Sequence, residues 1–229
     1  MNESPVVERR GKVAILTIND PPHNPMSMAF MDRLESLVTD IAADPAVRAV
    51  VLTAAGDKNF SVGMNLKEIS GSLGDREALD AIFDQRLRVL AAIENMDKPW
   101  IATLFGNCLG GGLELPLACH FRLAAQDGAR IGLPELHLGT VPAWGGSARL
   151  ARRVGRDRAI DLILRAKTLS GPEALGIGLV DRGLAQRRAQ TARRRAGRGT
   201  RGDAAPRGRD DAALPGDQRR EDTGGIATG

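Results

Sequence analysis

The sequence predicts an α/β fold, and three observations carry that expectation. Runs rich in β-branched residues alternate with stretches of helical periodicity, glycine and proline mark the turns between them, and the order strand, helix, strand recurs through residues 1–183. With 229 residues, one domain can bury a core of its own.

The elements follow in order. GKVAILTIND (11–20) alternates and is β-branched, which predicts a strand closed by Asp20-Pro21-Pro22. After a loop through HNPMS, Met31, Leu34, Leu37, Val38 and Ile41 fall at helical spacing, and Asp44-Pro45 stops that helix. RAVVLTAAG (48–56) reads as a buried strand ended by a glycine turn, and NFSVGMNLKEI (59–69) as a loop leading into a short helix. A longer helix is predicted over 75–96, with an apolar face at Leu79, Ile82, Phe83, Leu87, Leu90 and Ile93, before Pro99. WIATLFGN (100–107) predicts a strand, LGGGLELPLAC (109–119) a turn feeding a helix, and HFRLAA (120–125) another strand. Turns fill GLPELHLGTVPAWGG (132–146), and helices follow from Ser147 and from about Gly155 to Lys167. In SGPEALGIGLVD (170–181), Ser170 and Glu173 have the spacing of a capping box.

Residues 184–229 break this pattern, with 11 Arg against 6 acidic residues, no aromatic residue, and Leu184, Leu214 and Ile226 as the large aliphatics. Burial cannot offset the ordering entropy of such a segment, so it is expected to be a disordered tail behind a catalytic domain over 1–183. That tail carries +5 while the whole chain carries +4, so the basic balance says little about the domain. Cys108 and Cys119 have neither metal-ligand spacing nor the density of a disulfide framework and read as buried thiols. MNESPVVERR lacks the apolar core of a secretory signal, and no run approaches the roughly 20 apolar residues of a membrane span. The expectation is a soluble, cytoplasmic protein without a membrane partner.

The chemistry centres on Gly110-Gly111-Gly112, placed between a strand and a helix. Triple glycine alone is a weak signal. At a helix start, however, the leading N–H groups lack intrahelical partners and the macrodipole adds partial positive charge, so an oxygen anion can be held there. Glu114 falls on the first turn of that helix, and Glu135 follows 21 residues later in a Pro-Glu turn. Two carboxyls near one anion site can serve as acid and base. The bland reading stands beside it: a first-turn Glu often only complements the dipole, and a Glu after proline is often exposed. The three histidines show no metal-site spacing, so no metal is expected.

Three separated segments change the balance. FSVGMNLKEI (60–69) is similar to an oxyanion loop of the form F-x-x-G-x-D-[LI]-x-E, KPWIATLFGNCLGGGLELPLAC (98–119) resembles the most diagnostic segment of the same family, and GLPELHLGTVPAWGGSARLARRVG (132–155) repeats its PE, LG-x-x-P and GG-x-x-RL features. Through them the chain resembles the crotonase superfamily of enoyl-CoA hydratases and isomerases over residues 6–183. The resemblance implies a spiral of ββα turns in which the N–H groups of Met64 and Gly111 hold the thioester oxygen of an acyl-CoA substrate. It implies that Glu114 deprotonates the water attacking C3 and that Glu135 delivers the proton to C2. Asn24 and Gly63 would contribute to the CoA adenine pocket, Lys67 is a candidate for the CoA phosphates, and Gly110 and Trp144 would line the substrate site. No cofactor is implied, since CoA arrives as part of the substrate.

Asn65 stands where the family usually has Asp, Pro116 where it commonly has Ala, and His120 where another Asp is common. Pro116 removes a helical hydrogen bond and is expected to bend the helix or cost about 3 kcal/mol. The tail lacks the C-terminal helices that complete the family fold, which weakens the implied homotrimer or hexamer, and its composition suggests out-of-frame translation of a GC-rich gene. The expected reaction is hydration of an enoyl-CoA. Isomerisation of its double bond is the alternative within the same site. Outside that class stand an inactive acyl-CoA binder and an RNA or other polyanion binder acting through the tail; no aromatic residues interleave its arginines, so nucleic acid is not the expected partner.

Overall fold

A computed structural model describes residues 4–72 and 74–185 of the chain. The expectations placed on the segment after Ala185 therefore lie outside the described residues.

The chain opens with a hairpin, β1 (Val6–Arg10) antiparallel to β2 (Val13–Ile18). Alternation in β2 buries Ala14, Leu16 and Ile18. Helix α1 (Met28–Ala43) starts where Ser27 accepts the N–H of Phe30, and it lays Phe30, Met31, Leu34, Val38 and Ile41 on the core. After β3 (Ala49–Ala54) and β4 (Asn59–Ser61) come the short helix α2 (Leu66–Ile69) and the long helix α3 (Arg76–Glu94). Strands β5 (Trp100–Leu104) and β6 (Asn107–Leu109) lead into α4 (Gly111–Ala118). Next are β7 (Phe121–Ala125), β8 (Arg130–Gly132) and a 3₁₀ turn over Glu135–Leu138. The described part closes with α5 (Gly146–Val154), α6 (Arg156–Leu164), β9 (Thr168–Leu169), α7 (Gly171–Gly176) and β10 (Arg182–Leu184). A full capping box joins Ser170 and Glu173 at the start of α7.

The strands form two sheets, ordered β1-β2-β3-β5-β7-β10 and β4-β6-β8-β9. Each of the pairs β3/β4, β5/β6 and β7/β8 gives its first strand to the larger sheet and its second to the smaller one, in parallel register with the pair before. This is the spiral of ββα turns. The predicted strand over 100–107 is in fact two strands in different sheets. The corner is Gly106, at φ +53°, where an added Cβ would lie 1.8 Å from the Lys58 carbonyl oxygen.

Three other expectations are refined. The buried stripe of α3 is Ile82, Arg86, Val89, Leu90 and Ile93, with Leu87 exposed, so an arginine occupies a core position. Pro116 is accommodated because α4 runs only two residues beyond it, and Arg122 donates to the carbonyls of Pro116 and Cys119 at its end. Strand β10 also crosses the boundary that composition suggested at Gly183, for Leu184 pairs with Ala125.

Candidate active site

The 61–64 loop and the start of α4 are pressed together. A Cβ on Gly63, at φ +94°, would stand 2.9 Å from the Leu109 carbonyl oxygen and 3.0 Å from the Gly111 nitrogen, so only glycine permits this approach. The loop is tied to the chain before α1 by a parallel bridge: Met26 N–H donates to Gly63, and Asn65 N–H donates to Met26. That ladder uses neither polar group of Met64. Met64 lines the same cavity as Gly111, which is the first helical residue of α4 and whose N–H needs no intrahelical partner. Asn65 donates its side-chain amide to Glu68, and Glu68 in turn accepts the Met28 N–H at the start of α1. An Asp at position 65 could not donate, so the departure from the family pattern has a physical role.

That cavity, of about 440 Å³, is lined by Met64, Gly110, Gly111, Glu114, Glu135 and Trp144. Apart from Thr140 its other walls are apolar, including Ile69 from α2 and Leu79 and Phe83 from α3. The sequence pattern placed Leu79 and Phe83 on the apolar face of a helix; both line the cavity, and Phe83 also packs against the core, a difference that periodicity does not record.

Glu114 is 2% exposed, and its Oε1 accepts the N–H groups of Trp144 at 2.8 Å and Gly146 at 2.9 Å. Burial pushes its carboxyl up to about 7; the nearby Glu135 adds to the rise, while the two backbone donors and Arg149 oppose it. Glu135 is also raised by burial, and its Oε2 is buried without a protein partner. Its carboxyl rests against Gly110, where an added Cβ would be 3.3 Å from Oε1. Two carboxyls biased toward their neutral forms face one largely apolar cavity beside Met64 and the start of α4.

The Enoyl-CoA hydratase/isomerase family model matches residues 8–199. The chain belongs to that family. The protein named "Probable enoyl-CoA hydratase" from Bacillus subtilis (strain 168) is 40% identical over 171 residues, covering 75% of this chain and 65% of that protein. The short-chain-enoyl-CoA hydratase of Clostridium acetobutylicum is 36% identical over 183 residues, covering 77% of this chain and 67% of that one. The chain thus spans about two thirds of the length of these relatives. Among solved structures, an enoyl-CoA hydratase from Bacillus anthracis superposes with a TM-score of 0.77 at 32% identity, over 86% of this chain and 76% of that one.

Of the residues that the family resemblance singled out, Glu114, Glu135, Met64, Gly110, Gly111 and Trp144 share the cavity, and Gly63 sets the loop beside it. Asn24 does not join them. It is wholly buried, donating to the carbonyls of Ala55 and Asn59 and accepting the Asp20 N–H, so its side chain holds the loop together. Lys67 is exposed on α2 outside the cavity wall. His120, in place of the family Asp, accepts the Trp100 N–H through Nδ1 at 3.0 Å. Among the described residues, no group of three or more His, Cys, Asp or Glu is arranged to hold a metal ion, and no helix is long and apolar enough to cross a membrane.

Two arginines near the site were not legible as such. Arg86 is fully buried, with its guanidinium 5.9 Å from the Trp144 ring centroid and its Nε unbonded. Arg149 belongs to the GG-x-x-RL run, yet its contact with the Trp144 carbonyl, at 2.8 Å, emerges only in the fold.

Proposed function

We propose that this chain adds water across the 2,3 double bond of an enoyl-CoA thioester. The observation that carries the reading is the pairing of Glu114 and Glu135, both favoured toward protonation, at one cavity beside the Met64 and Gly111 N–H groups.

In this reading the thioester oxygen sits between those two N–H groups, where the negative charge of the enolate-like transition state develops. A preorganised donor of that kind is worth roughly 3 to 4 kcal/mol. Glu114 acts as base: Oε1 is committed to the turn at 144–146, so Oε2 takes a proton from water as the hydroxyl adds to C3. Glu135, kept neutral by burial, gives its proton to C2. The two carboxyls then hold one proton between them, as before the reaction. CoA enters as part of the substrate, and exposed Lys67 is the candidate for its phosphates. Isomerisation can proceed with one carboxylate, so the pair favours hydration.

The test is loss of the crotonyl-CoA double bond, followed by absorbance and product analysis, for the wild type, Glu114→Gln and Glu135→Gln. Each variant is expected to lose at least ~10²-fold in kcat. Hydration at the wild-type rate in both variants would refute the mechanism, and formation of a shifted double bond without hydroxyacyl product would replace hydration by isomerisation.

A further inference from the structure

Arg149 has no part in the reaction just described, although it is 9% exposed and sits beside the turn that grips Glu114. Its Nη1 donates to the Trp144 carbonyl at 2.8 Å, while Nε and Nη2 both reach Glu94 Oε2 at 2.9 Å. Glu94 is the last residue of α3, and its other oxygen takes Arg152 at 3.2 Å. The guanidinium therefore fastens the peptide between Trp144 and Gly145 to the end of a different helix. The N–H groups on either side of that peptide, those of Trp144 and Gly146, are the two that hold Glu114 Oε1.

We propose that the Glu94–Arg149 pair is a positioning device that locks the 144–146 turn, so that its two N–H groups keep Glu114 in place as the ionised base. The inference rests on Glu114 being that base. A planar fork suits the task, since one guanidinium can bond the carbonyl and the carboxylate together, which a lysine ammonium does poorly.

The consequence is a specific sign. The turn's donors and the Arg149 charge both favour the carboxylate form of Glu114, against burial and the charge of Glu135 from the 3₁₀ turn. Arg86 of α3 lies across the Trp144 ring, and Glu94 faces Glu114 through Arg149. Removing Arg149 loosens the donors and deletes a cation, and both changes raise the pH at which Glu114 ionises.

The experiment is a ¹³C NMR titration of glutamate carboxyls in the full chain, with the Glu114 signal identified by its disappearance in Glu114→Gln. Alongside it runs the pH profile of kcat/KM for crotonyl-CoA. Arg149→Met is expected to raise the Glu114 midpoint by ~1 pH unit, to move the acid limb of the profile with it, and to lower kcat/KM at pH 7 by ~5-fold. KM should stay within ~2-fold, because Arg149 is a positioning residue that touches no substrate. Arg149→Lys should show a smaller shift in the same direction. An unmoved midpoint in folded Arg149→Met overturns the proposal. If that variant does not fold, an unmoved midpoint in Arg149→Lys does so. Full activity in Glu114→Gln would instead sink the catalytic role of Glu114 while leaving the titration to judge the turn.

Discussion

Replacing Glu114 by Gln should make the folded chain more stable at pH 8 while it removes activity. The carboxyl is 2% exposed and moves from its ordinary 4.5 to about 7 on folding, chiefly through burial. Between these two values the folded state binds more protons than the unfolded state. Stability therefore falls as pH rises through that window, and the loss is complete above about pH 8. At roughly 1.36 kcal/mol per pH unit, the cost of keeping Glu114 ionised reaches about 3 kcal/mol. Gln still accepts the Trp144 and Gly146 N–H groups through its carbonyl oxygen but carries no charge, so the variant escapes this cost. The assay is urea unfolding of both proteins at pH 4.5 and pH 8, with the midpoint difference compared between the two. Glu114→Gln should gain on the wild type by about 1 to 3 kcal/mol on going to pH 8, or about 2 to 4 °C in Tm for each kcal/mol. A difference that stays constant between the two pH values, or that shifts toward the wild type at pH 8, would refute the reasoning.

Other expected outcomes follow from single contacts. His120→Ala leaves the buried Trp100 N–H without its acceptor and should cost about 1 to 2 kcal/mol in chemical denaturation, whereas His120→Asp can still accept and should recover most of that loss. Gly112→Ala would place a Cβ 2.4 Å from the Ser61 carbonyl oxygen, so the variant should lose about 1 to 3 kcal/mol of stability and shift the 61–64 loop, read as a drop in both Tm and kcat. Asn65→Asp replaces an amide donor to Glu68, 2.8 Å away, by a second carboxylate; it should destabilise by about 0.5 to 1 kcal/mol at pH 8 and by less at pH 4, checked by paired melting curves.

Much of the site was legible because its chemistry depends on local backbone. Gly110-Gly111-Gly112 before a helix and Glu114 on its first turn are properties of consecutive residues, and so is the tight loop that ends at Met64. The helix α1 and strands β2 and β3 were equally readable, since their burial pattern repeats with the period of the element itself. The strands β4, β6, β8, β9 and β10 were not, because segments of two or three residues carry too little pattern and exist only through the neighbours they pair with.

The sequence by itself determined the family motifs, the glycine run at the start of α4 and the two candidate carboxyls, Glu114 and Glu135. Only the tertiary structure decided that those carboxyls share one largely apolar cavity, that Leu79 and Phe83 wall it, and that the Asn24 side chain holds a loop. The same holds for Arg86 behind Trp144 and for Arg149 fastened to Glu94, whose partners are remote in the chain. Periodicity records which face of an element is apolar. It does not record what that face meets, and the ionisation of Glu114 is set by what it meets: burial, two N–H groups from another turn, and the charges of Glu135 and Arg149.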